Sequence, residues 1–257
     1  MLAKLVKYDL KWTYKVLLIF YILTLIFAFI GRGLSYIDNS FIFEFLSKFS
    51  CGVSVSFMFS ILINNLMRLW ARFIQNIYKD ESYLTHTLPV KKSDIYFSKV
   101  ISTIITLFTS VVIIVLGLVI CYYGEGLIEF LKTFITEATF SVIVYCLIVL
   151  FLEILFIVFL GYLAIVIGYR SNHLKFVKSL IWAFGLYMTS SCISLLVILI
   201  LGIFNKGIMD VFITNSGYPS MDVVKVLLVA ASVIYVVYIC VVNILTNRLL
   251  KKGVNVD

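Results

Sequence analysis

Six long stretches of this chain carry almost no charge, and they restrict it to one kind of fold. Residues 16–31, 49–67, 100–124, 138–169, 179–205 and 226–247 contain no Asp, Glu, Lys or Arg apart from Glu153 in the fourth. A hydrocarbon core about 30 Å thick takes roughly 20 apolar residues of helix at about 1.5 Å each. The first stretch is short, but Arg32 can snorkel and apolar residues at 34–37 prolong it. No turn residue flanks Glu153, so the fourth reads as one span and not as a hairpin of two halves. Of the whole chain 63% is hydrophobic and 13% charged, against about 25% charged for a soluble domain. That excludes a soluble globular enzyme. A transmembrane barrel is excluded as well, because it needs many short alternating segments in place of long continuous ones. The expectation is an all-α polytopic membrane protein, one transmembrane domain over 1–257, with spans near 16–37, 47–68, 99–123, 138–169, 179–204 and 223–247.

The net charge of +8 becomes informative once it is placed along the chain. Of the 21 basic residues, all but Arg32, Lys48, Lys132, Lys206 and Lys225 lie in the N-terminal segment, the second and fourth connections and the C-terminal tail. Under the positive-inside rule those four regions are cytoplasmic, so both termini are expected inside, consistent with an even number of spans. The location expected is the plasma membrane of a bacterium; richness in Ile, Lys, Asn and Tyr points weakly to a low-GC Gram-positive. The first apolar run lacks a small-x-small cleavage site before Arg32 and reads as an uncleaved signal anchor. Cys51, Cys121, Cys146, Cys192 and Cys240 lie in or beside spans without metal-like spacing, and read as small apolar residues.

Two segments have the pattern of helices lying on the membrane. In residues 1–15, Lys4, Lys7, Lys11 and Lys15 fall in one sector at 100° per residue, with Leu2, Leu5, Val6, Leu10 and Trp12 across much of the other side. The expectation is an N-terminal interfacial, or elbow, helix, its lysines on anionic headgroups and Trp12 at the boundary. Asp9 interrupts the apolar arc, which suggests a protein partner on part of that face; a plain topology anchor is the other reading. Outside, Leu127, Ile128, Leu131, Phe134 and Ile135 repeat at helical spacing among Glu125, Glu129, Lys132 and Glu137. In the last external loop Asn215, Ser216, Gly217 and Pro219 supply turn chemistry, and Ser220 and Asp222 are candidate caps for the sixth span.

Motifs for covalent chemistry are missing. There is no Gly-x-x-x-x-Gly-Lys-Ser/Thr phosphate loop, no Gly-x-Ser-x-Gly, and the two histidines, His86 and His173, cannot form a His-Glu-x-x-His helix. No catalytic, metal-binding or cofactor-binding residue is assigned, and the chain reads as a non-enzymatic membrane component. Glu153 stands mid-span, where a charge costs several kcal/mol. It is either a structural hydrogen-bonding residue or part of a substrate path or gate.

The connection from Arg68 to Lys99 combines charge with Phe73, Ile74, Ile77, Tyr78, Tyr83, Leu84 and Leu88. A merely solvated loop does not need so much apolar and aromatic surface, so part of it should dock. Pro89 is expected to end an extended piece at 85–88, and Ser93 with Asp94 to cap a helix leading into the third span.

This stretch resembles the signature of ABC-2 type permease subunits of bacterial ABC exporters. Those carry a pattern of an acidic residue, then Glu-Gly-Tyr-Leu-Thr-x-Thr-Leu-Pro-Val-Ser, and a little later Ser-Lys-Leu, between the second and third spans. Matching positions are Glu81, Tyr83, Leu84, Thr85, Thr87, Leu88, Pro89, Val90, Ser98 and Lys99; Ser82 stands at the usual Gly and Lys91 at the Ser after Val. Residues 5–11, Leu-Val-Lys-Tyr-Asp-Leu-Lys, are similar to the basic elbow opening of these permeases. The resemblance implies a permease paired with a second permease chain, identical or not, and with cytoplasmic ATPase subunits that hold ATP and Mg. It implies coupling to the ATPase through loop 68–99, by Tyr78, Asp80, Glu81, Tyr83, Leu84, Thr85, Leu88 and Pro89. Substrate, a peptide, antibiotic or lipid-like molecule, would pass near Glu153, and such permeases serve export, immunity or resistance. The alternative reading is a non-transporting sensor or immunity protein that binds an extracellular peptide. Nucleic acid is not implied as a partner.

Overall fold

The computed structural model describes residues 2–37, 41–79, 81–87, 90–123, 137–171, 173–204, 207–209 and 220–252. Its elements are α1 (Leu2–Leu34), α2 (Phe41–Tyr78), α3 (Ser82–Thr87), α4 (Lys92–Tyr122), α5 (Glu137–Gly168), α6 (Lys175–Phe204) and α7 (Met221–Lys251). All of them are α-helices, and six are long and apolar enough to cross a membrane. The protein is an all-α, multi-pass membrane protein. The chain forms two compact units, Met1–Phe130 and Leu131–Asp257.

Five of the six long helices overrun the charge-free core at one end or both, while α5 matches its run to within one residue at each end. A charge-free window stops at the first ionic residue, whereas a helix continues wherever that residue reaches water or a counter-charge. The largest difference is at the N-terminus. The separate elbow helix at 1–15 and the first span are one uninterrupted helix, since no Gly or Pro interrupts residues 2–30 and all their backbone bonds stay intrahelical. Residues 35–37, read as the end of the first span, form a turn in which Ser35 Oγ donates to Arg32 O at 2.6 Å.

In the first unit α1 packs on α2 and α4. The buried face of α1 is Asp9, Thr13, Leu17, Tyr21, Thr24, Ala28 and Gly31, spaced three or four apart as a single stripe requires. Toward its C-terminal end this stripe is made of small residues, and it meets Ser47, Ser50 and Ser54 of α2. Ser47 Oγ donates to Gly31 O at 2.7 Å and Ser54 Oγ to Thr24 O at 2.9 Å. Without a hydrophobic force between helices in lipid, close backbone approach of this kind supplies the packing. Leu17, Tyr21 and Ile61 make the apolar centre. On α4 half of the buried residues are serines or threonines: Ser98, Ser102, Thr103, Thr106 and Ser110. Ser102, Thr106 and Ser110 donate to carbonyls of their own helix, which satisfies them without a partner helix. Ser110 also meets the Tyr21 phenol at 2.7 Å and accepts from Asn65 Nδ2 at 2.9 Å.

In the second unit α5 packs on α6 and α7. Its C-terminal half is the most buried part, including Phe156, Val158, Phe159, Tyr162 and Val166. Gly168 lies so close to α6 that an added Cβ would meet Ser179 N at 2.5 Å. Leu174, with φ of 53°, closes the turn between them in a left-handed conformation that an L side chain adopts at a cost.

Several local expectations change. Residues 85–87 belong to helix α3 and are not extended. Helix α4 starts at Lys92, so its cap position is Lys91, which gives no side-chain bond, and Ser93 is already inside the first turn. Ser220 does occupy the cap position of α7, with Asp222 in the first turn, but Ser220 caps through its carbonyl to Val224 N at 3.1 Å and not through its hydroxyl. The five cysteines are free thiols; Cys146, Cys192 and Cys240 are exposed on their helices, and Cys51 is placed to donate to Cys121 O at 3.9 Å. The outer segment from Leu127 to Ile135, and Asn215, Ser216, Gly217 and Pro219, lie outside the described residues.

Close packing at the two glycines is directly testable. A Cβ at Gly31 would stand 2.6 Å from Cys51 Sγ and 3.2 Å from Ser47 O, while Gly33 and Gly185 have no atom within 4 Å of such a Cβ. Gly31→Leu and Gly168→Ala should each lower stability by about 1–3 kcal/mol through overpacking, read as a fall in melting temperature in detergent. Gly33→Ala and Gly185→Ala should be neutral or slightly stabilising, because Ala is the better helix former.

Candidate functional site

The N-terminal end of α1, the C-terminal end of α2 and the N-terminal end of α4 converge on a buried ionic cluster. Asp9, Thr13 and Leu17 follow at intervals of four, so Asp9 faces inward although apolar residues surround it in sequence. Arg68, Arg72 and Asn76 follow the same interval on α2. Asp9 and Lys99 are 4% and 5% exposed. Lys99 Nζ donates to Asp9 Oδ1 and to Asn76 Oδ1, both at 2.5 Å. Arg72 Nε reaches Asp9 Oδ1 at 3.3 Å, and Ser98 Oγ donates to Asp9 Oδ2 at 3.2 Å.

The cluster extends to the segment after α2. Arg72 Nη1 donates to both Glu81 carboxylate oxygens at 2.7 and 2.8 Å, and Asn76 Nδ2 donates to Glu81 Oε2 at 2.5 Å. The turn that presents Glu81 is closed by Lys79 N to Ile74 O at 3.2 Å and Ser82 N to Lys79 O at 2.7 Å. Two carboxylates thus face two cations, with Asn76 bridging them through both ends of its amide. Balance matters because a buried charge deprived of its partner costs several kcal/mol. Arg68 closes the far side, with Cζ 4.2 Å above the Trp12 ring and Nη2 donating to Trp12 O at 2.8 Å. Arg72 lies over the same ring at 5.3 Å.

Along α1 the distance from Asp9 to Gly31 is about 33 Å at about 1.5 Å per residue, close to the thickness of a bilayer core. The ionic cluster therefore stands about one bilayer-core thickness along α1 from the small-residue contact at Gly31. At the other end Arg32 stacks on Tyr36 at 4.5 Å and lies 5.9 Å from the Tyr123 ring. Charge with aromatic rings at both levels is what membrane interfaces favour.

The residues singled out from sequence fall into three groups. Lys4, Lys7, Lys11 and Lys15 are exposed, as an anchoring face requires, but Trp12 is half-buried beneath the two guanidinium groups. Asp9 faces Lys99 and Arg72 of this same chain and does not present a surface to a partner. In the loop, Tyr78 is buried, Glu81 is held in the cluster, and Tyr83 on α3 is 76% exposed. Leu84 and Thr85 lie on the backbone of α3, while Asp80, Leu88 and Pro89 lie outside the described residues. Arg72, Asn76 and Lys99 were not singled out for a site, since each reads alone as a boundary residue. The available signal was Asp9, a carboxylate on an apolar arc that had to be answered by a cation.

Glu153 is in the other unit. It is half-buried on α5 and shares a side-chain hydrogen bond with Tyr235 of α7. Phe156 lies against the Tyr235 and Tyr238 rings at 5.9 and 5.4 Å. Tyr238 is fixed by donating to Ser190 O of α6 at 2.9 Å. Among the described residues no cluster of His, Cys, Asp and Glu is arranged to hold a metal. Comparison with protein-family models, curated proteins and solved structures finds no match to this chain.

Removal of either partner of the central pair should strongly destabilise the first unit. Asp9→Asn and Lys99→Met are each expected to cost about 3–5 kcal/mol, as one charge is left buried and unmatched. The double variant should cost at least about 1 kcal/mol less than the sum of the two. Unfolding in detergent followed by tryptophan fluorescence reads all three; strictly additive losses would mean that the pair does not interact.

Proposed function

We propose that this chain is the transmembrane permease subunit of an ATP-driven ABC transporter of the ABC-2 type. It would sit in a bacterial plasma membrane with both termini in the cytoplasm. The observation that carries the reading is the fastening of Glu81. This residue belongs to the stretch that resembles the permease signature, and Arg72 and Asn76 bind it directly. Through Asn76 and Arg72 it is linked to Lys99 and Asp9, and so to the ends of three long helices. A push on the exposed side of α3 is thereby passed to α2 and α4 without crossing a flexible linker.

In this reading a separate cytoplasmic ATPase supplies the push and holds ATP and Mg, and a second permease chain completes the pathway. Tyr83 is the described side chain best placed to meet the ATPase, being almost fully exposed beside the fastened turn. The arrangement suits export of a peptide, antibiotic or lipid-like molecule along a route that includes Glu153.

Gentle solubilisation of the tagged chain should bring down an ATPase, and recovery without one counts against the reading. Tyr83→Asp should leave insertion and folding intact, since its side chain makes no buried contact, while transport falls by at least about tenfold at unchanged nucleotide binding by the ATPase, one such step being about 1.4 kcal/mol. Transport at the parental rate would overturn the coupling role.

A further inference from the structure

Among the described residues the carboxyl group of Glu153 has no counter-ion, in contrast to the balanced cluster of the first unit. It makes no ion pair among the described residues. Helix α5 contains no Lys, Arg or His. On α7, Lys225 is about 15 Å along the axis from Tyr235, and on α6, Lys178 is about 13.5 Å from Tyr187, the residue of that helix whose field reaches Tyr235, at about 1.5 Å per residue. Neither lysine reaches the level of Glu153. Yet the group is not hidden in packing: Glu153 is half-buried and therefore accessible.

Its surroundings select a particular kind of guest. The Tyr235 phenol donates to this carboxyl group. Tyr238 brings a further ring beside it, backed by the buried Phe156 ring 5.4 Å away and held in place through Ser190. Aromatic faces attract a cation, and most strongly where water is scarce. A carboxylate flanked by rings at mid-helix depth is the chemistry that recognises an organic cation with an apolar body. A purely structural hydrogen bond at this position is met by Gln with no charge to desolvate.

The geometry points to a binding site for an amphiphilic organic cation, an ammonium or guanidinium group on an apolar scaffold, formed by Glu153, Tyr235, Tyr238 and Phe156. This names a substrate class for the transport reading and depends on that reading for its physiological meaning. Binding is measured without ATP or any partner, so failure here leaves the coupling role standing, and failure of coupling leaves the site standing.

The probe is tetraphenylphosphonium, with tetraphenylborate as the anion of matching shape, titrated against the full chain in nanodiscs of neutral phosphatidylcholine. The cation should bind saturably at one site and the anion should not. Glu153→Gln should weaken cation binding by at least about tenfold, since losing one partner of a desolvated pair exceeds one such step. Tyr235→Phe should weaken it several-fold. Circular dichroism establishes that the variants keep their helices. If Glu153→Gln fails to insert, competition on the parent chain decides: dodecylammonium should displace the probe and dodecyl sulfate should not. Equal binding by Glu153→Gln, equal displacement by both detergents, or no saturable component for the parent would each overturn the site.

Discussion

A charge at or below the membrane boundary must be matched, and the first unit is organised around how that is done. Asp9 and Lys99 come from helices far apart in sequence, and each would be costly alone. Together with Arg72, Glu81 and Asn76 they form a neutral, closely bonded group at the meeting point of α1, α2 and α4. The rest of the unit follows from this group and from the small-residue contact about 33 Å away at the other end of α1. One end is held by ions and the other by backbone proximity, and the stretch between needs only shape, supplied by Leu17, Tyr21 and Ile61. Among the described residues of the second unit there is no such cluster. Its helices are joined by rings and by Tyr238, and its acid in mid-helix meets a phenol and, among those residues, no cation.

Polar residues inside the first unit are handled by two different means. The hydroxyls of Ser102 and Thr106 on α4 bond back to their own helix, and Ser110 does so while also meeting Tyr21 of α1 and Asn65 of α2. The ionic cluster cannot be satisfied locally, and so it ties three helices and the turn before α3 together.

The six membrane helices were legible because the absence of charge is a property of the sequence alone. Their ends were not, because whether a helix continues past Lys15, Arg68 or Lys99 depends on what those residues meet. Asp9 shows the limit most clearly. In sequence it is a flaw on an amphipathic face, and only the approach of Lys99, ninety residues away, turns it into the centre of the unit. That residues 1–15 continue unbroken into the first span was not legible for a related reason: lysines on one face are common to a helix lying on a membrane and to one projecting from it. In the loop, the exposure of Tyr83, the burial of Tyr78 and the anchoring of Glu81 all required the fold.

The joint between the turn before α3 and the helices is tested most directly by amide hydrogen exchange on the chain in nanodiscs, comparing the parent with Glu81→Gln. Loss of hydrogen bonds to a charged group releases about 1.5–3 kcal/mol of local protection. Exchange across residues 79–87 is expected to rise by tenfold or more, while peptides from the interior of α5 exchange at the parental rate. Unchanged exchange across 79–87 would contradict the fastening of this turn by the ionic cluster.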